Sequence, residues 1–301
     1  MKLSTVTAAV LVVAGVLAST VASADTLKKI ADTGKITLAY RESSVPFSYL
    51  AGPGNPVGMS VDISNAVVDA VKKRLNNPAI KVELQAVTSQ NRIPLLTNGT
   101  VDLECGSTTN NAARQKDVAF AVTTYVEEVR TVVKANSGIN SIKDLNGKTV
   151  ATTTGTTSVQ TLRKHERAGG IDFKEVFGKD HADSFLMLET GRADAFVMDG
   201  SILAANISKS KNPADYKIVG EVLSVEPIAC MLRKDDAAFK KAVDDSIKRQ
   251  IADGSLAKLY DKWFMQPVPP TNTKIGLPMS EATKAAWANP NDKPMEDYAK
   301  K

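Results

Sequence analysis

The chain is poor in the residues that build reactive or metal-bound centres. Among its 301 residues are only two cysteines and two histidines. His165 and His181 stand at no ligand spacing from Cys105 or Cys230, which excludes the familiar zinc patterns. The basic residues form no tail and no stripe interleaved with aromatics, so a nucleic-acid partner is not expected. Short clusters such as Lys72-Lys73-Arg74 read as solvated helix faces. There is no internal repeat and no low-complexity tract. After residue 24 no segment is apolar enough to cross a bilayer. The long apolar run that does occur lies at the start. Lys2 precedes an apolar and small-residue stretch over 6–21, and Ala22-Ser23-Ala24 supplies an A-x-A cleavage site. Residues 1–24 therefore read as a secretory signal peptide, with Asp25 opening the mature chain. Export implies an oxidising compartment, where an even number of cysteines favours pairing. The 38 basic and 33 acidic residues leave a mild positive surplus, suited to attracting small anions.

The remainder exceeds one ordinary domain, and its pattern alternates strand with helix. Strands are expected at 35–40, 80–87 and 101–104, with an amphipathic helix at 61–75 and a short one at 89–96. A second module of the same kind follows 131–134: strands at 148–152 and 195–198, helices at 157–166 and 184–190. The run 228–232 reads as a strand returning to the first module, completed by helices at 236–252 and 256–263. The expectation is an α/β chain of two lobes. Lobe 1 comprises 25–132 and 229–301, lobe 2 comprises 133–228, and hinge strands lie near 131–134 and 226–230. The proline-rich tail after Trp263 is expected to wrap the first lobe or to be partly loose.

In such lobes ligands are held beyond the carboxyl ends of strands. Arg41 follows the first strand, and Ser89 and Arg92 follow the strand at 80–87 on one face of a helical turn. Ser107, Thr108, Thr109 and Arg114 follow the strand at 101–104, and Gly155 to Ser158 lead into a helix N-terminus. Asp199 ends the strand at 195–198. Guanidinium forks suit carboxylates and a carboxylate suits an ammonium, so the set fits a small zwitterion with a further acidic group.

The stretches 40–49 (YRESSVPFSY), 88–96 (TSQNRIPLL), 104–111 (ECGSTTNN), 155–158 (GTTS), 179–184 (KDHADS) and 230–236 (CMLRKDD) resemble the periplasmic glutamate/aspartate-binding proteins of polar amino acid ABC transporters, in solute-binding protein family 3. The resemblance covers nearly the whole mature chain. It implies the type II periplasmic binding protein fold, with two hinge strands and a ligand cleft between the lobes. It implies L-glutamate or L-aspartate as ligand, membrane permease subunits of an ABC transporter as partners, a periplasmic location, a monomer, and no cofactor. Carried onto this chain, it places Arg114 on the ligand's α-carboxylate with Thr109 and Thr157, and Asp199 on the α-ammonium with Ser107. Arg41, Ser89, Arg92 and His181 then surround the side-chain carboxylate, and Cys105 and Cys230 are the pair that could form a disulfide. Three arginines against one aspartate leave positive charge to be met by an acidic ligand, and His181 adds more when protonated. Some proteins of this architecture are dehydratases or lytic transglycosylases. No added acid-bearing domain fits here, and only His181 and Glu42 could serve as general acid or base. A binder, not an enzyme, is expected.

Overall fold

The computed structural model describes residues 25–298, so the expected signal peptide lies outside the described residues. Asp25 caps the opening helix Thr26–Thr33 through a bond from Lys28 N, and Gly34 ends it in the left-handed conformation. Two five-stranded sheets follow. The first has the order Lys81–Ala86, Lys35–Tyr40, Leu103–Glu104, Met231–Arg233, Val118–Phe120. The second has the order Lys174–Gly178, Thr149–Thr153, Ala195–Asp199, Tyr125–Lys134, Tyr216–Ile228. In each, three strands run parallel and the fourth runs antiparallel to both its neighbours. That fourth strand is the one arriving from the other sheet. This is the two-lobed α/β, type II arrangement.

The chain passes to the second sheet between Phe120 and Tyr125 and returns between Ile228 and Met231. The division expected at 132/133 thus falls inside the strand Tyr125–Lys134, which pairs wholly within the second sheet. Residues 125–134 contain no turn former to mark the crossing, so the sequence places it too late. The expected strand 228–232 is likewise two strands in two sheets, separated by Ala229 and Cys230.

Helix Met59–Arg74 turns Met59, Ile63, Val67, Val68 and Val71 into the core at helical spacing. Asp236 caps Ala237–Ala252 by accepting from Phe239 N. The helix expected at 184–190 starts earlier, as His181–Glu189, because Asp180 accepts from Asp183 N and sets the first turn at His181. Beyond Ser255–Tyr260 the expected helix gives way to a π-turn, Asp261–Met265. Three short strands, Ser43–Ser44, Ser48–Leu50 and Pro56–Val57, form a small sheet beside the first strand's exit.

Cys105 and Cys230 form a disulfide with Cα atoms 4.2 Å apart. It joins the ends of the neighbouring strands Leu103–Glu104 and Met231–Arg233 and closes a 125-residue separation that spans the whole second sheet. In the chain-entropy treatment such a bridge stabilises by about 5 kcal/mol. The tail does more than wrap the first lobe. Trp287 Nε1 donates to Thr124 O at 2.9 Å and Thr283 Oγ1 accepts from Val126 N at 3.1 Å, so it straps the crossing segment itself.

Candidate functional site

Arg41 leaves the first strand and is held by its own lobe. Its backbone N–H donates to Ser48 Oγ at 2.8 Å and its Nη2 donates to Ser89 Oγ at 2.7 Å. Arg92 opens helix Arg92–Thr97, and its Nη1 donates to Thr108 Oγ1 at 2.5 Å and to Ser107 O at 3.4 Å. Thr108 passes its own proton to Glu104 Oε2 at 2.8 Å, and Ser107 Oγ donates to Ser44 Oγ at 3.2 Å. Glu104 is an acidic group that sequence reasoning missed, although it sits at a strand's end as the predicted residues do. Gly106 permits the cluster to close, since a Cβ there would meet Glu104 Oε1 at 2.5 Å. Arg41 and Arg92 are buried to 1% and 2% exposure, and Arg41 Nη1 and Arg92 Nε find no partner among the described residues. Burial, then the Arg92 charge, pulls the Arg41 guanidinium down to about 9; burial also lowers Arg92. Arg41 still carries its charge at neutral pH.

The second lobe faces this cluster closely. Gly155, at φ +80°, comes so near that a Cβ would meet Gln90 Cα at 2.7 Å. Arg114, on a short 3-10 turn of the first lobe, donates to Thr109 O at 2.8 Å and across the cleft to Gly155 O at 3.3 Å. Burial, then Arg92, pulls it down to about 9. Thr156 turns its hydroxyl to Thr153 O at 2.7 Å, so the first turn of helix Thr157–Gly169 receives no side-chain cap and keeps its N–H groups for an anion.

His181 N donates to Ser43 Oγ at 3.2 Å, and its Nε2 faces Arg41 Nη2 at 3.5 Å. A guanidinium only donates, so Nε2 can only accept. Nδ1 then carries the proton and gives it to Thr153 Oγ1 at 3.1 Å. Burial and the charges of Arg41 and Arg92 hold the imidazole well below its ordinary value. The expectation that His181 adds positive charge is therefore corrected: it is neutral.

Asp199 ends its strand at 1% exposure, and neither carboxylate oxygen accepts a hydrogen bond from any of the described residues. It has two acidic neighbours that sequence reasoning also missed. Glu127 and Glu226 are directly paired across adjacent antiparallel strands, and Asp199 pairs with Val129. Side chains alternate along a strand, so Glu127, Glu226 and Asp199 share one face of the second sheet. Glu127 accepts from Ser201 Oγ, Ser201 N and Glu128 N. Burial pushes Glu127 up to about 7 and Asp199 well above the carboxylate range; the mutual repulsion of the three adds to both, while Arg92 and Arg114 oppose it at Asp199.

Glu226 Oε2 accepts from Thr109 Oγ1 and from Thr157 Oγ1, each at 2.6 Å, and its Oε1 accepts from Ser224 Oγ at 2.7 Å. The resemblance put the Thr109 and Thr157 hydroxyls with Arg114 on a ligand carboxylate. Here their protons are already committed to Glu226, because each hydroxyl has only one to give.

All nine sequence-predicted residues thus gather at one cleft, with a cationic end at Arg41 and Arg92 and an acidic end at Asp199, Glu127 and Glu226. The predicted balance of three arginines to one aspartate omitted Glu104, Glu127 and Glu226. The pattern is polarised, not merely positive.

The family model for bacterial extracellular solute-binding proteins, family 3, matches residues 36–266. An L-glutamate/L-aspartate-binding protein of Pseudomonas aeruginosa is 48% identical over 295 residues, covering 98% of this chain and 97% of its own length. The glutamate/aspartate import solute-binding protein of Escherichia coli is 48% identical over 272 residues, or 90% of each chain. Among solved structures, an ancestral amino acid-binding protein that is a precursor of cyclohexadienyl dehydratase matches with TM-score 0.68 and 28% identity, over 79% of this chain and 99% of its own.

Proposed function

Because the chain belongs to the bacterial extracellular solute-binding proteins of family 3, we propose that it captures L-glutamate or L-aspartate in the periplasm and presents it, as a monomer, to the permease of an ABC importer. One observation carries this reading. Buried guanidinium donors without partners, Arg41 Nη1 and Arg92 Nε, share a cleft with a buried carboxylate, Asp199, whose two oxygens are bare. Burying a charge without a hydrogen-bonding partner costs on the order of several kcal/mol. A ligand bringing a carboxylate to one end and an ammonium to the other relieves both costs at once.

In this reading Arg41 and Arg92, with Ser89, hold the side-chain carboxylate. His181 walls that end and orients Arg41. Arg114 and the N-terminus of helix Thr157–Gly169 hold the α-carboxylate. Asp199 holds the ammonium, with Ser107, Thr109 and Thr157 around it. Arg41 and Arg92 carry two charges against one from Glu104, so a carboxylate completes the neutralisation that an amide cannot. Leaving such charge-assisted partners unmet costs about 2–5 kcal/mol, or roughly 30-fold and upward in affinity. The segments 121–124 and 229–230 serve as hinges. Ligand contacts from both lobes favour the closed state, which is the shape a permease reads.

The dehydratase alternative draws on the solved ancestral precursor, but that protein is itself an amino acid binder. His181 has both nitrogens engaged and stays neutral, so it offers no mobile proton for acid–base work. Titration calorimetry with glutamate, aspartate and glutamine tests the proposal, with recovery of unaltered ligand after incubation. Micromolar or tighter binding of an acidic ligand, with glutamine at least about 30-fold weaker, is expected. Equal affinity for all three would end it.

A further inference from the structure

Glu226 has no place in the ligand set just described, yet it is wholly inaccessible and accepts three hydroxyl hydrogen bonds. Two of its donors come from opposite lobes: Thr109 from the first and Thr157 from the second. The two threonine oxygens lie 3.3 Å apart, but with both protons directed at Glu226 neither has one for the other or for a ligand. What each hydroxyl can still offer is a lone pair. Lone pairs accept from an ammonium and repel a carboxylate. The same face of the sheet carries Asp199, whose oxygens are bare, and Glu127 directly across from Glu226.

We infer that Glu226 is the residue that makes an amino group obligatory in the ligand. It acts as a positioning residue, by fixing the Thr109 and Thr157 hydroxyls with their oxygens toward the cavity, and as a second fixed negative charge behind Asp199. The site therefore rejects dicarboxylic acids that have the length of the ligand but lack its ammonium. The arrangement also clasps the lobes, since Glu226 bonds a residue of each, and an ammonium bridging Asp199 and the two hydroxyls reinforces that clasp.

This inference rests on the reading of the ligand as an acidic amino acid, and the test separates the two. L-Glutamate and glutarate share both carboxylates and differ in the ammonium. Wild-type protein is titrated with each, then Glu226→Gln and Glu226→Asp. Failure of the wild type to bind glutamate or aspartate removes the ligand reading before any variant is considered. Given that binding, Glu226→Gln is expected to lose at least tenfold for glutamate while binding glutarate as well as or better than wild type, so that the glutamate-to-glutarate preference falls at least 30-fold. Glu226→Asp keeps the charge and is expected to keep the preference within about threefold, even where both affinities fall as the shorter side chain loosens the clasp. A residue that merely fastens the lobes would shift both ligands by the same factor. An unchanged preference in Glu226→Gln overturns the inference. Should that variant not fold, loss of the preference in Glu226→Asp overturns it equally.

Discussion

Arg92 and Asp199 lie within electrostatic reach of one another, and both are almost inaccessible. Arg92 rests on Thr108 and Ser107 of its own lobe, and Thr108 rests in turn on Glu104. Asp199 rests on nothing; its nearest charged companions on the second sheet are two more carboxylates. The first-lobe end of the cleft is preorganised in geometry, with Arg41 and Arg92 each anchored on its own lobe, although Arg41 Nη1 and Arg92 Nε keep donors free for a ligand. The acidic end is frustrated: Arg92 and Arg114 oppose its repulsion only in part, and a cation supplied from outside completes what they leave unmet. That asymmetry assigns the order of events. On the proposed reading, ligand docks on the prepared cationic face, and the second lobe closes because closing brings its unrelieved acids to the ligand's ammonium.

The comparison breaks most readily at Arg92. Replacing it with methionine leaves Glu104 buried beside a hydroxyl, without the cation that shares that hydroxyl and with Arg41 and Arg114 as the charges still in reach. Loss of one partner from a buried pair costs about 3–5 kcal/mol. The expected result is at least a hundredfold weaker glutamate binding in calorimetry together with a lower melting temperature of the ligand-free protein. Asp199→Ala sharpens the contrast. It removes a carboxylate that no protein group supports, so binding is expected to weaken by at least tenfold while the ligand-free melting temperature holds or rises. If Arg92→Met left the ligand-free protein as stable as Asp199→Ala does, the distinction between a prepared and a frustrated end would be lost.

Position at a strand's end was the legible signal, and it reached both ends: it nominates Asp199 as well as the arginines. Arg41, Arg92 and Arg114 follow strands or open turns, and that topological position is visible from strand-and-helix alternation alone. The fold was legible for the same reason: helix Met59–Arg74 buries Ile63, Val67, Val68 and Val71 as their spacing suggests, although Val61 stays half-buried and Met59, ahead of the expected start, joins the core. Glu226 was not legible, because it lies within the strand Tyr216–Ile228 and faces Glu127 only once two distant strands pair in one register. An acid in a strand reads as solvent-facing until its partner strand is known. The crossing point was misplaced for a related reason. The run from Val126 to Val133 suits either sheet, and only the ladder from Tyr125↔Ile228 to Lys134↔Tyr216 decides which it joins. His181 was flagged, but its charge state depends on its burial and on Arg41 and Arg92 being beside it, which no local pattern encodes.

Closure itself is tested at Gly155. Alanine there is opposed by its positive φ and by the Gln90 backbone, which a Cβ would meet at 2.7 Å. The backbone cannot swing aside as a side chain tip could, so the lobes must stay further apart. Gly155→Ala is expected to weaken glutamate binding by about five- to tenfold while leaving the first-lobe contacts intact. Small-angle scattering should show the ligand-induced compaction of the wild type and little in the variant; equal compaction in both would mean that the approach of Gly155 to Gln90 is not what limits closure.

The smallest expected effect is in the protons. Burial, reinforced by their mutual repulsion, raises Glu127 to about 7 and Asp199 well above its ordinary range, so the ligand-free acidic end holds protons near neutral pH. A carboxylate whose folded value is raised adds stability that is complete below its unfolded value and is lost as pH climbs through the folded one. Ligand-free protein is therefore expected to melt at progressively lower temperature from about pH 5 to pH 8, the Glu127 contribution fading around 7. An ammonium at Asp199 favours the charged forms and drives protons off, so affinity should rise a few-fold from about pH 5.5 to 7.5. His181 does not contribute in that window, since burial, reinforced by Arg41 and Arg92, holds it well below its ordinary value. Calorimetry at one pH in phosphate and in Tris reads the exchange directly, because only a released proton makes the observed heat depend on the buffer's ionisation enthalpy. Identical heats in the two buffers would mean that Glu127 and Asp199 keep their protons with ligand bound, and the acidic end would then be frustrated in no functional sense.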